Sequence, residues 1–268
     1  MEDRLQWIKL QPHAWADWEP VQGGLAAHAA LACRYPRAQC YVVESNAKRE
    51  MTATRALRKP WWTRARWTSP VPRFELPPDG GVQMVWANML LHMSADPQAL
   101  IAQWFRALNP DGFLMFSCLG PDTLKELRAT YQTLGWPPPG HEFTAMHDWG
   151  DMLGNAGFAE PVMDMERITL TFETFDRLLV ELRQLGRNLH PKRFAGLRGR
   201  EWRAKLNQAW LHLESASPTG QRPLTFEIIY GHALKPKPRL TMQRETTLSL
   251  DQMRNELQRG KSALGALP

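Results

Sequence analysis

The segment from Pro110 to Phe158 constrains this chain more than any other part of it. Asn109-Pro110-Asp111-Gly112 reads as a turn, because Pro presets φ and Gly accepts a positive φ. Phe113 to Leu119 follows as a short, almost wholly apolar run, the mark of a strand covered on both faces in a parallel sheet. Gly120-Pro121-Asp122-Thr123 then stands at the carboxyl end of that strand. In open α/β sheets that edge is where ligands bind.

The rest of the chain repeats the alternation. Leu25 to Arg34 is an Ala-rich helical run, and Cys40 to Val43 is a β-prone run ending at Glu44. Val82 to Ala87 reads as a strand, and Asp96 to Leu108 as an amphipathic helix with Leu100, Ile101, Trp104 and Leu108 at helical spacing. Pro121 to Leu134 and His147 to Asn155 read as helices, the second stopped by Gly157. Met165 to Phe172 alternates apolar and polar residues as a strand does. Thr174 is placed to cap a helix ending at Gly186. Leu197 to Leu213 is a basic helix, Thr225 to Ala233 a last strand, and the tail from Ser249 a terminal helix. Arg55 to Pro78, rich in Trp, Pro and Arg, reads as irregular. Strand and helix in turn predict a doubly wound α/β sheet.

Length and charge set limits on function. A chain of 268 residues buries one sizeable core, and no run approaches the ~18 apolar residues of a membrane helix. Cys33, Cys40 and Cys118 lack metal-ligand spacing, and an odd number does not suggest a disulfide framework. With no signal-peptide pattern at the start, a reduced cytoplasm is the expected compartment. Between 183 and 205 eight basic residues face one acid, Glu201, and between 48 and 73 eight face Glu50. Such segments are solvated cationic faces or attract an acidic protein; nucleic acid is unlikely, since no DNA- or RNA-binding signature accompanies the charge. Twelve Trp imply a packed aromatic core.

Four segments carry a family resemblance: GPDTLKELR at 120–128, MHDWGDMLGNAGF at 146–158, PVMDMERITLTF at 161–172 and FEIIYGHALKP at 226–236. Together they resemble the BioC family of malonyl-acyl carrier protein O-methyltransferases of biotin synthesis, which are class I enzymes using S-adenosylmethionine. The resemblance implies a Rossmann-like, mostly parallel seven-stranded sheet with a C-terminal antiparallel hairpin and a helical insertion. It further implies one domain over 1–268: a cofactor half at 1–120, a substrate and carrier half at 121–248, and a tail at 249–268. The partner implied is an acidic acyl carrier protein bearing a malonyl thioester.

The same resemblance places the cofactor. The family's first signature is a strand ending in an acid, then Gly-x-Gly-x-Gly. Here that place reads Asp17-Trp18-Glu19-Pro20-Val21-Gln22-Gly23, so Asp17 stands for the acid and Gly23 for the last glycine. Glu19 and Val21 replace the first two. They would bring a carboxylate and added bulk toward the cofactor, and Pro20 removes an N–H. Glu44, 27 residues beyond Asp17 at a strand end, is either the acid that holds the ribose hydroxyls or a solvated surface residue. Within Trp86-Ala87-Asn88-Met89-Leu90-Leu91-His92, which resembles another cofactor segment, Asn88 and Leu91 join the cofactor set. Asn88 and His92 either face the methyl-transfer channel or are a polar pair at a helix start. Relatives carry lid helices before the position matching Arg4, and the resemblance implies either that the lid is missing here or that the start is truncated.

On the substrate side, Arg128, Arg183 or Arg187 is expected to hold the malonyl group. Gly120, Asp122, Thr123, His141, His147 and Asp148 are expected to line its pocket, and Arg198 and Arg200 to face the carrier. His92, His147 and Arg128 are the catalytic candidates. A structural role in capping or bracing is open for each, above all for Asp148 and Asp151 at a helix start. Two functions therefore compete: carboxyl O-methyl transfer, and a catalytically impaired protein of the same fold acting in binding or regulation.

Overall fold

A computed structural model describes residues 1–58, 70–185, 188, 190–212 and 221–238. The chain up to Pro236 forms one compact unit. Its strands are β1 (Ala14–Trp18), β2 (Gln39–Val43), β3 (Val82–Ala87), β4 (Leu108–Leu119), β5 (Ala159–Phe172) and β6 (Arg222–Leu234). The helices are α1 (Pro20–Gly23), α2 (Leu25–Arg34), α3 (Ala47–Leu57), α4 (Pro97–Ala107), α5 (Lys125–Thr133), α6 (Met146–Asn155), α7 (Phe175–Gln184) and α8 (Arg200–Leu211).

The six strands lie in the order β2-β1-β3-β4-β6-β5. The first four run parallel, and β6 is antiparallel to both β4 and β5. The expected doubly wound sheet with an antiparallel final pair is thus present. Of the seven strands expected, the described residues hold six, and outside them a single parallel bridge joins Tyr41 and Arg73. Arg73 accepts from Val42 N–H and donates to Cys40 C=O. Pro70, Pro72, Pro77 and Pro78 surround it, and residues without an N–H cannot extend a ladder.

Sequence patterning accounts for most elements. Asp96 caps α4 by accepting from Ala99 N–H at 2.9 Å, and Thr174 caps α7 by accepting from Arg177 N–H at 3.2 Å. The Asn109 to Gly112 turn becomes an excursion inside β4: Asp111 takes φ 64°, and the β3 partner shifts from Leu108 to Phe113 between Val82 and Met84. Helix α5 starts four residues later than the Pro121 reading, because Leu124 has φ 58° and the preceding turn is bonded to β6 instead.

Strand alternation divides the core between the two sheet faces. Trp15, Met84, Trp86, Phe113 and Met115 pack with Leu31 of α2 and Ala53 of α3 on one face. Ala16, Trp18, Val85, Leu114 and Phe116 pack with Trp104 of α4 and Trp149 of α6 on the other. A third cluster joins Tyr131, Phe172, Phe175, Leu206 and Trp210 under α5, α7 and α8. The tryptophans do form much of this core. Gly231 of β6 faces Phe116 of β4 across the ladder, and a Cβ there would overlap the ring. Gly231→Ala is expected to cost about 1–3 kcal/mol by overpacking, read as a lowered urea midpoint with unchanged slope. An unchanged midpoint would mean that the buried ring can move aside.

Candidate active site

The switch in strand order, where the chain passes outward from β1 to β2 and then back to β3, creates a crevice at the carboxyl edge. Asp17 is the penultimate residue of β1, and Glu44, Asn88 and Gly120 directly follow β2, β3 and β4. All four therefore share one edge, as the sequence implied.

Asp17 is committed elsewhere. Its Oδ2 lies 2.8 Å from Nδ1 of His28 on α2, and both side chains are buried. Burial raises the Asp17 carboxyl above its ordinary range, with His28 partly offsetting it. The acid thus fastens α2 to β1.

The altered glycine loop is tied to the end of β2. Glu19 adopts φ 56°, ψ 49°, the left-handed conformation that a glycine would take without strain, and Pro20 opens the short helix α1. The Glu19 carboxylate folds onto the next strand end, accepting from Ser45 N–H at 2.8 Å and pairing with Arg49 at 2.8 Å. Burial alone would raise its pKa, but bonds from Ser45, Glu44 and Arg49 outweigh that and hold it low. Val21 packs its side chain into the core and donates its N–H to Glu44 Oε1 at 2.9 Å.

Glu44 is pushed up to about 7, first by burial and then by the neighbouring Glu19, against the Val21 N–H bond and Arg49. Its Oε2 is buried, and the carboxyl group shares a hydrogen bond with Glu19. Asn88 ties the crevice together: Nδ2 donates to Gly23 C=O, and Oδ1 accepts from Ser117 Oγ at 2.7 Å. Ser117 Oγ also accepts from Met89 N–H at 3.0 Å, holding Met89 at φ 53°. A Cβ on Gly23 would lie 2.7 Å from the Asn88 carbonyl oxygen, so this crossing needs glycine. Leu91 departs from its expected role. It is 1 % exposed and belongs to the core, because the short helical turn at Leu91–Met93 directs it inward and leaves His92 on the crevice side.

A cavity of about 880 Å³ extends from this crevice. Gln22, Met89 and His92 line it together with Arg128, Arg183 and Arg200, and Leu124, Leu179 and Phe226 are among its apolar walls. His92 Nδ1 accepts from Leu119 N–H at 3.2 Å, so the imidazole proton sits on Nε2. Burial, and then His141, lowers the His92 pKa to about 4 and keeps it neutral. His141 also lines the cavity; its Nε2 is buried without a partner, and its ring packs against Phe143 at 4.7 Å.

Other sequence candidates serve different ends. His147 and Asp148 are exposed on α6 and do not line this cavity, because Trp149 and Leu153 take the buried face of that helix. Arg198 lines the cavity but lies over Tyr131 and Trp202 and donates to the Tyr131 hydroxyl, so it is an aromatic brace more than a free carrier contact. Arg128 donates to the carbonyls of Thr123 and Pro121. Gly120, Asp122 and Thr123 are fastened to Glu227, which sequence reasoning passed over with Ser117, His28 and Arg167. For Glu227, Ser117 and His28 the signal was a polar residue inside a largely apolar element, whereas Arg167 sits in an alternating strand and gave none. Arg187 lies outside the described residues.

No family model matches the chain. Among solved structures it is similar to the YcgJ protein of Bacillus subtilis, with a TM-score of 0.56 at 13 % identity over 88 % of this chain and 98 % of that one. A Bacillus halodurans C-125 protein assigned as a methyltransferase gives the same TM-score at 14 % identity over 88 % and 97 %. At that identity the likeness is one of fold. Sequence relatives are nearer. The malonyl-[acyl-carrier protein] O-methyltransferase of Gallionella capsiferriformans is 38 % identical over 247 residues, spanning 90 % of this chain and 83 % of the relative. That of a Methylovorus species is 35 % identical over 247 residues, spanning 90 % and 82 %. Identity at this level, over nearly the whole length of both partners and on the expected sheet, makes this chain a member of the malonyl-[acyl-carrier protein] O-methyltransferase family.

Proposed function

We propose that the chain transfers a methyl group from S-adenosylmethionine to the free carboxylate of a malonyl thioester carried on acyl carrier protein. The observation that carries this reading is one cavity lined both by Gln22, Met89 and His92 beside the cofactor crevice and by the arginines Arg128, Arg183 and Arg200. Its residues suit both ligands. Glu44, at the carboxyl end of β2, is an acceptor for ribose hydroxyls, and the Gly23 crossing keeps backbone near the cofactor's methionine end. With Glu19 engaged by Ser45 and Arg49 and Val21 packed into the core, an active enzyme accounts for the loop better than an impaired one.

When bound, the cofactor supplies an electrophilic methyl group. A malonyl carboxylate is ionised at neutral pH, so the chain needs no general base, and its task is to aim one carboxylate oxygen and exclude water. Arg183 and Arg200 hold the charge by attraction, Leu124, Leu179 and Phe226 cover the acyl part, and neutral His92 offers its Nε2–H as a fixed donor. In this reading residues 1–120 present the cofactor and 121–248 the substrate.

Incubation with malonyl-acyl carrier protein and the labelled cofactor is expected to give a carrier-bound methyl ester that base removes. Transfer to the carrier without its malonyl group, or no transfer at all, would sink the proposal. Replacing Arg183 and Arg200 by Glu is expected to slow carrier association several-fold and weaken its dependence on salt, since exposed charges are screened within ~8 Å at physiological ionic strength. An association rate indifferent to both changes would remove this face from the interaction.

A further inference from the structure

The turn at Gly120–Leu124 supplies one wall of the cavity through Thr123 and Leu124, and leads directly to Arg128. Helical propensity does not hold it, since Leu124 is left-handed. It is held from β6. Glu227 is 3 % exposed, and its backbone C=O accepts from Gly120 N–H at 2.8 Å and from the Thr123 hydroxyl at 3.1 Å. Its side-chain Oε2 accepts from Asp122 N–H at 2.6 Å, and the backbone N–H of Glu227 donates to Thr123 Oγ1 at 3.2 Å. Gly120 has no room for a Cβ, which would sit 2.9 Å from the Glu227 carboxyl group.

A buried carboxylate needs a counter-charge, and it comes from the next strand. Arg167 of β5 is the ladder partner of Glu227, lies 3.8 Å from its Oε1, and makes a second ion pair at 2.9 Å with Asp122. One guanidinium therefore links the hairpin strand β5, the buried acid of β6 and the turn itself. Arg128 closes the other side through the Pro121 and Thr123 carbonyls.

We infer that Glu227 and Arg167 are positioning residues, which hold the Gly120–Leu124 turn at the distance from the cofactor crevice that methyl transfer to a carboxylate requires. Neither lines the cavity, so both act through the turn. The inference rests on the methyl-transfer reading above. Misplacing a reacting group by about an ångström is enough to cost ~100-fold in rate, which makes a second support layer consequential.

Glu227→Gln keeps the shape and an acceptor for Asp122 N–H but removes the charge. Arg167→Met removes the counter-charge from an exposed side. In the full-length protein each is expected to lower kcat for malonyl-acyl carrier protein at least ten-fold, to change KM less than three-fold, and to leave the calorimetric affinity for S-adenosylhomocysteine within two-fold. Amide exchange at residues 120–128 is expected to quicken while β4 and β6 stay protected, and Arg167→Lys is expected to recover most of kcat. Unchanged kcat, or cofactor affinity falling in step with activity, would overturn the inference. Should the wild-type protein methylate no malonyl carrier, the substrate reading fails by itself, while unaltered exchange at 120–128 in the variants would separately refute the role of Glu227.

Discussion

Affinity for S-adenosylmethionine is expected to weaken roughly ten-fold for each pH unit below about 7, and to level off above it. The midpoint belongs to Glu44, whose carboxyl is raised to about 7 by burial and by Glu19. Ribose hydroxyls donate hydrogen bonds, and an ionised acceptor binds them more strongly than a protonated one. Below the midpoint, binding must first expel the proton, so the sign is loss of affinity with acid. The groups facing Glu44 are Glu19 from the β1 end, Val21 N–H from α1 and Arg49 from α3. Glu19→Gly removes the raising bond and charge, and should draw the midpoint back toward the ordinary 4.5. That variant also relieves the left-handed strain of Glu19 while freeing Ser45 N–H, so its affinity at high pH should change little. Glu44→Gln should flatten the profile and cost ~10–100-fold in affinity, the equivalent of one or two charge-assisted hydrogen bonds. Calorimetry across pH in buffers of different protonation enthalpy measures both affinity and proton release. A wild-type affinity independent of pH would show that Glu44 does not meet the ribose.

His28→Ala is expected to destabilise the fold by about 3–5 kcal/mol, the cost of leaving a buried acid without its partner. Asp17 and His28 are 2 % and 3 % exposed and sit 2.8 Å apart beneath the cofactor loop. Asp17→Asn should cost less, because an amide needs less solvation than a carboxylate yet still offers the imidazole a partner. Urea denaturation decides the matter, and a loss under ~1 kcal/mol for His28→Ala would mean that Asp17 simply takes a proton and is tolerated neutral. If Asp17 were instead a direct cofactor ligand, Asp17→Asn would lower affinity with little effect on stability. Opposite outcomes are expected here.

The apolar runs at Val82 to Ala87 and Phe113 to Leu119 were readable as buried strands because no other element suits so dense an apolar segment between turn residues. Asp96 and Thr174 were readable as caps because capping is local chemistry. The shared edge of Asp17, Glu44, Asn88 and Gly120 was readable because parallel strands bring their carboxyl ends together. All of these rest on interactions within a few residues or on a topology with one solution. The direction of each polar side chain at that edge was not readable. Sequence spacing places Glu19 in the loop, but only the neighbouring strand end, with Ser45 N–H and Arg49, engages its carboxylate. It places Asp17 at the acid position, but His28 of the covering helix claims it. Glu227 lies 107 residues from Gly120 in the chain and meets it only because β6 inserts between β4 and β5. Local pattern thus determined the fold and the edge where the strand ends gather, whereas pairing between distant strand ends decided which partner each carboxylate there meets.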